Sequence, residues 1–314
     1  MPPPARRAAR RLLLVHSHPD DESITTGGTI ARYASYPDTE VTLVTCTLGE
    51  EGEVMRPELA GLTVGQADQL GGYRISELSA ACAALGLADQ RYLGGAGRWR
   101  DSGMVTGHGA LAAAPPPESL HPRAFSAEAG RAEQVAALCA IMDEVRPQVV
   151  IGYDAVGGYG HPDHIRAHEI TMAAAAEQQS VRKVYWTVAA RFDVDAGLAE
   201  LARVAGLPWR VAKPDELASV PDASVTTRID VSDHLPAKLA ALRAHATQLT
   251  VWEDSQAGLN AFALTNEIAQ PVPATECYTL VGAARSVRAQ ETETDLFDGI
   301  LLDGILLDGT EVVS

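Results

Sequence analysis

The chain contains no C-x-x-C pair. Its four cysteines, Cys46, Cys82, Cys139 and Cys277, are scattered through 314 residues. That spacing argues against a disulfide framework and for free thiols in a reducing compartment. Cys46 lies in an apolar run and reads as a small core residue. Basic charge is also scarce: 25 Lys and Arg stand against 41 Asp and Glu, a net charge of -16. Phosphate backbones need a basic surface, so nucleic acid is excluded as a partner, and an anionic membrane surface with it. The acidity is read as a source of solubility. No apolar run reaches the length of a membrane span. After the basic start, the run Leu12 to Val15 is too short for a signal-peptide core. Residues 1–10 are expected to be a flexible arm and the protein cytoplasmic. No G-x-G-x-x-G follows the first strand, so the phosphate-cradling signature is missing.

What is present is an ordinary globular balance, 46% hydrophobic and 21% charged, enough for one large domain or two smaller ones. Strand and helix signals alternate. Residues 11–16 form an apolar strand; Thr25 or Thr26 caps a helix that runs to about Tyr36, before Pro37. Residues 41–47 are a β-branched second strand, 75–85 an apolar helix stopped by Gly86, and 91–93 a short strand. Residues 107–123, rich in Gly, Ala and Pro, read as a mobile loop. A helix is expected over 128–145, a strand over 148–153, a helix over 163–177 and a strand over 183–189. This alternation predicts an α/β fold over residues 11–190: a Rossmann-like, mainly parallel sheet with helices on both faces. Beyond Arg191 the pattern loosens, with helices expected at 198–205, 237–249 and 260–268 and strands at 226–231 and 277–281. Residues 191–288 are expected to form a smaller α+β lobe completing the cleft. The end, 289–314, holds a tandem five-residue repeat starting at Asp298 and Asp303, too short for a solenoid, and is expected to be a disordered tail.

Two clusters concentrate the chemistry. His16-Ser17-His18-Pro19-Asp20-Asp21-Glu22 follows the first strand, and Gly157-Gly158-Tyr159-Gly160-His161-Pro162-Asp163-His164 follows the fourth. Acids this close raise one another's pKa, and a divalent cation resolves the conflict. Loops at the carboxyl ends of the strands line the crevice of an open α/β sheet, which puts both clusters on one rim. A catalytic zinc takes three protein ligands and keeps one position open. His18, Asp21 and His164 are the candidates, and ferrous iron accepts the same set. His16 competes with His18, because residues i and i+2 share a face while a strand continues. Asp20 and Asp21 are adjacent and cannot easily bind one metal alike. Asp21 is therefore assigned to the metal and Asp20 to general-base work, the alternative being that one of them caps the next helix. Glu22 reads as a helix-start acid. His161, its ring held by Asp163, is expected to be a charged imidazole that stabilises an oxyanion or protonates a leaving amine. Tyr159 donates to the same oxyanion, or is a packing aromatic beside a glycine turn. Gly157, Gly158 and Gly160 allow close backbone approach.

These residues carry a resemblance. His18-Pro19-Asp20-Asp21-Glu22, with Gly158-Tyr159-Gly160-His161-Pro162-Asp163-His164 downstream, resembles the zinc-dependent N-acetylglucosamine deacetylase family, also called PIG-L or LmbE-like. The stretches 45–54, 69–75 and 93–104 are similar to the branch of that family that serves mycothiol biosynthesis by removing acetate from N-acetylglucosaminyl-inositol. The likeness runs over about residues 11–189 and returns weakly at 244–248 and 276–282. It implies a zinc-dependent amidohydrolase acting on a small amino-sugar–inositol substrate. It implies His18, Asp21 and His164 as metal ligands, which favours His18 over His16. It further implies Asp20 as the acid/base, His161 as the charged imidazole oriented by Asp163, and Tyr159 at the oxyanion. Arg74 and Asp101 are expected to hold sugar hydroxyls, and Met104 to pack on a sugar face. A sister branch, which cleaves mycothiol S-conjugates, carries a lysine shortly after the first motif; Ser23 to Thr26 contain none, which favours the deacetylase branch. A reading of a different class, a non-catalytic sugar- or nucleotide-binding module, rests on Gly27-Gly28 alone.

Overall fold

The computed structural model describes residues 10–106, 112–213, 215–254, 258–283, 292–302 and 305–306. The expected arm as far as residue 9, residues 107–111 of the expected loop, and parts of the expected tail lie outside the described residues. Five parallel strands make the spine: β1 (Arg10–His16), β2 (Thr39–Thr45), β3 (Asp89–Tyr92), β4 (Val149–Gly152) and β5 (Lys183–Val188). Leu12 to Val15 of β1 are fully buried, as strands covered on both faces must be. Alternate side chains serve opposite cores. Leu12 and Leu14 pack with Ile30 and Tyr33 of α1 (Asp21–Ala34) and Leu78 of α2 (Leu70–Ala84). Leu13 and Val15 pack with Leu138 of α3 (Arg131–Val145) and Ile170 of α4 (Pro162–Glu177).

The strands lie in the order β3-β2-β1-β4-β5, with β1 and β4 in register at Leu14 and Ile151. The chain builds outward from β1 to β3, then returns to the other side of β1. The order therefore reverses between β1 and β4, and a crevice opens outside their carboxyl ends. Both clusters leave the sheet at that point, as the α/β reading requires.

Three expectations are corrected. First, α1 begins at Asp21, ahead of the expected threonine cap, and the Thr25 and Thr26 hydroxyls instead donate one turn back to the Asp21 and Glu22 carbonyls. Second, residues 260–268 are not helical. Leu259–Leu264 pairs antiparallel with Leu249–Asp254 and with Ile268–Pro271. Its side chains alternate, Phe262 into one small core and Ala261 into another, a period of two hidden in a short apolar run. Third, the stretch 191–288 is not one separate lobe. After α5 (Arg191–Leu201), β6 (Thr227–Asp230) and β7 (Thr275–Ala283) extend the main sheet beyond β5 as antiparallel strands. Between them lie α6 (Leu235–Ala244) and most of a small four-stranded sheet that walls the cleft.

The expected tail also gives way over 292–300. Leu296, Phe297 and Ile300 are buried in the core that holds Tyr33, and Glu293 pairs with Lys183 of β5 at 2.7 Å. Two adjacent apolar side chains found uncovered core there. All four cysteines are free, and Cys46 is buried as expected. Among the described residues no helix is long and apolar enough to cross a membrane.

Candidate active site

The end of β1 decides between the two histidines. His16 is fully buried, with Nδ1 3.2 Å from the Tyr153 hydroxyl and Nε2 2.9 Å from Thr26 Oγ1. Both ring nitrogens are spent inside the fold. His18, past the strand end, faces the crevice with Asp21 and His164.

Three atoms meet there. His18 Nδ1 and His164 Nε2 each lie 3.3 Å from Asp21 Oδ2, and 3.4 Å from each other. The outer ring nitrogens explain the orientation. His164 Nδ1 lies 3.2 Å from the Gly157 carbonyl, an acceptor, so Nδ1 carries the proton and Nε2 is bare. His18 Nε2 faces Asp163 Oδ2 at 3.3 Å and Asp101 Oδ1 at 3.5 Å, so that proton sits outward too. With both rings neutral, two nitrogen lone pairs and a carboxylate oxygen are aimed at one another in a buried site, a repulsion relieved by a metal cation between them or by a second proton on His18. Zinc bonds of about 2.0–2.1 Å give tetrahedral ligand–ligand edges of about 3.3–3.4 Å, the edges this triangle has. Two other trios approach in the same cluster, His18–His161–His164 and His18–Asp101–Asp163. In the first, His161 Nδ1 already accepts an amide proton, and the second meets His18 on the side that faces two carboxylates. Electrostatics favour positive charge at the triangle. Burial opposes ionisation of His18 and Asp21, yet Asp101, Asp163 and Asp21 raise the His18 pKa well above the ordinary imidazole value. His164 and His18 likewise hold Asp21 well below the ordinary carboxylate value.

Asp20 sits beside this triangle on a strained backbone, φ 121°. Burial, with a smaller contribution from Asp21, raises its pKa to about 6 despite the nearby Arg74 guanidinium. Arg74 was expected to hold sugar. It lines the cavity, but its guanidinium ion-pairs with Asp20 at 3.0 Å and donates to the Gly49 and Pro19 carbonyls. Asp101 likewise faces the cavity while bonding His18 and the Gly103 amide. Each is therefore an anchor of a site side chain as well as part of the wall. Met104, 55% exposed at the mouth, is free to meet a ligand.

Asp163 does not orient His161 through its carboxylate, as expected. That carboxylate accepts from the Ser102 amide at 3.0 Å and faces His18; only its backbone amide reaches His161, donating to Nδ1 at 3.1 Å. Helix geometry is the cause: His161 is the residue before α4, where its ring caps the amide two residues on. The expected charge on His161 is also corrected. Burial, then His18 and His164, push its pKa down to about 2. The ring is neutral, with its proton on Nε2. Tyr159, half-buried, stacks edge-on to His164 and lines the same cavity, which measures about 1360 Å³. Gly157 is required where it stands: its φ is +65°, and a Cβ would lie 2.7 Å from the His164 Cβ.

Three contributors escaped the sequence reading. Tyr153 donates to Asp21 Oδ2 at 2.8 Å and accepts from the Ser17 amide at 3.0 Å. Glu22, read as a helix-start acid, is fully buried and pairs with His245 at 2.7 Å. Glu276 of β7 accepts from the Gly28 and Thr29 amides within α1 and from Lys238. A glycine turn marks none of them. Glu22 stood in the first motif, and the weak likeness at 244–248 and 276–282 hinted at its partner His245 and at Glu276.

Residues 13–175 match the family model described as PIG-L: GlcNAc-PI de-N-acetylase. The chain is 57% identical over 293 residues to the 1D-myo-inositol 2-acetamido-2-deoxy-alpha-D-glucopyranoside deacetylase of Actinosynnema mirum, covering 93% of this chain and 98% of that one. It is 55% identical over 296 residues to the 1D-myo-inositol 2-acetamido-2-deoxy-alpha-D-glucopyranoside deacetylase 1 of Saccharopolyspora erythraea, covering 93% and 95%. Among solved structures it is similar to the N,N'-diacetylchitobiose deacetylase of Pyrococcus horikoshii, with a TM-score of 0.48 at 19% identity, covering 76% and 70%.

Proposed function

Since the chain belongs to the PIG-L, or GlcNAc-PI de-N-acetylase, family, we propose that it hydrolyses the acetamide of 1D-myo-inositol 2-acetamido-2-deoxy-alpha-D-glucopyranoside to acetate and the free amine, a step of mycothiol biosynthesis. Relatives identical at 57% and 55% over nearly their whole lengths carry that activity in their names. The observation that supports the chemistry is the triangle of His18 Nδ1, Asp21 Oδ2 and His164 Nε2, with edges of 3.3–3.4 Å, beside an acid of raised pKa. We assign these three residues to a zinc ion, with ferrous iron as the alternative. When bound, the ion supplies Lewis acidity that polarises the carbonyl and acidifies water.

The protein's own groups do the rest. Asp20 takes the proton of the attacking water as oxygen adds to the carbonyl carbon. A neutral His161, through Nε2–H, and the Tyr159 hydroxyl donate to the oxygen on which charge develops. Asp20 returns its proton to the nitrogen as the C–N bond breaks, a role that its raised pKa favours and that the lowered pKa of His161 disfavours for that ring. Asp163 and Asp101 keep the His18 proton on the outer nitrogen. Arg74 holds the Asp20 carboxylate and, with Asp101 and Met104, faces the sugar. Four free thiols accord with a cytoplasmic setting.

The cavity, about 1360 Å³, exceeds the usual range of about 300–1,000 Å³ for small-molecule sites. It therefore leaves room for a larger amide such as a mycothiol S-conjugate, and acetate release beside conjugate cleavage measures the preference. Gly27 and Gly28 give no support to a phosphate-binding module. A Cβ on Gly28 would lie 2.6 Å from Val231, so packing demands that glycine. The test is a pair of substitutions read by metal analysis and acetate release. Asp21→Ala loses the metal, whereas Asp20→Ala keeps it and loses turnover. Full turnover by Asp20→Ala would sink the mechanism.

A further inference from the structure

We propose that Glu22 and His245 form a positioning pair that holds the Asp20 carboxylate in its working orientation, an inference that rests on Asp20 as the base. Both side chains are fully buried, and His245 Nε2 lies 2.7 Å from Glu22 Oε1. The other oxygen, Oε2, accepts the Asp20 backbone amide at 2.9 Å. That amide belongs to the residue with φ 121°, a conformation L side chains rarely adopt. Among the described residues His245 Nδ1 has no partner, and the ring's hydrogen bond there is with Glu22. The Ser23 hydroxyl also donates to Oε1, at 2.6 Å, so Oε1 is held by His245 and Ser23 while Oε2 is left to the strained peptide that aims the base.

Surrounding contacts reinforce this role. His245 opens a turn after α6 that reaches each segment around Asp20. The Thr247 amide and hydroxyl donate to Glu77 at 2.8 and 2.6 Å, and Glu77 stands one turn along α2 from Arg74. Gln248 Nε2 donates to the Glu53 carbonyl at 3.0 Å, in the acidic loop on the cavity wall. Asp21 has anchors of its own, the His18 amide and the Tyr153 hydroxyl. Releasing Asp20 therefore swings the base without moving the metal ligand next to it. Loss of the pair should separate turnover from metal binding.

The test uses the zinc-loaded full chain, with kcat, KM, metal content and melting temperature read together. His245→Ala should lower kcat by about ten- to hundredfold, keep stoichiometric metal, and leave KM within about twofold, the signature of a displaced base. His245→Gln keeps an N–H near the position of Nε2 and should recover most of the rate. Lys183→Met breaks a comparably buried ion pair at the opposite end of the sheet. It should lower the melting temperature and keep kcat. Should His245→Ala fail to fold, Glu22→Gln carries the same expectation with little change of shape. The proposal is overturned if the folded variants keep wild-type kcat, if KM alone rises, or if kcat falls only with metal content. Asp20→Ala, measured alongside, distinguishes the two failures. Retained turnover there removes the reading of Asp20 itself, while lost turnover with an active His245→Ala removes the positioning role only.

Discussion

Tyr153 shows how much of the site rests on one hydroxyl. It donates to Asp21 Oδ2, accepts from the Ser17 amide and touches His16, so it joins the end of β4 to the loop after β1. With Asp21 as a proposed metal ligand, Tyr153→Phe should weaken metal binding by about 10–100-fold, the usual effect of losing a group that orients a ligand, as measured by chelator competition. Asp20 gives a pH signature. Its pKa is raised to about 6, and it must be ionised to act, so kcat falls as pH drops through that value. Arg74→Met removes a positive charge that favours the carboxylate and should move the limb to higher pH, read from the kcat profile. The residues proposed for the metal were legible as candidates because His-Pro-Asp-Asp and His-Pro-Asp-His are local patterns, and the fold brings His18, Asp21 and His164 together. The aim of Asp163 was not. Which neighbour a carboxylate faces depends on the turn into α4, and here His161 took the capping position. The choice of His18 over His16 became physical only once Thr26 and Tyr153 were seen to occupy the His16 ring.

At the scale of elements, the parallel strands and their helices followed from alternating periods, and the rim location followed from the strand order. The late chain was harder to read. Residues 260–268 look helical by composition, yet Leu259–Leu264 pairs on both edges as a strand, a contact made with partners the local run does not reveal. The start of α1 was hidden for another reason: Thr25 and Thr26 resemble caps but bond backward inside the helix. The same helix yields a packing prediction. Gly28 faces Val231 with no space for a methyl group, and its amide is held by Glu276. Gly28→Ala should cost about 1–3 kcal/mol by overpacking, measured by urea denaturation, and should disturb activity through the tilt of α1.

For the whole molecule, late residues complete a core and a site begun by early ones. Phe297 is fully buried, packs 5.7 Å from the Tyr33 ring and lies beneath Arg10. Phe297→Ala should destabilise the protein by about 3–5 kcal/mol, visible as a lowered melting temperature with the metal site intact in the folded fraction. The tail expectation failed here because low complexity nearby masked two residues that fit uncovered core. The Glu22–His245 contact has a consequence in time. Its partners are 223 residues apart in the chain. At synthesis rates of about 5–20 residues per second, that gap is about 10–45 s on the ribosome. Through that interval Glu22 exists without its buried partner. On the assignments proposed above, a nascent chain holds all three proposed metal ligands once His164 has emerged, and should reach its full rate only after His245 has followed.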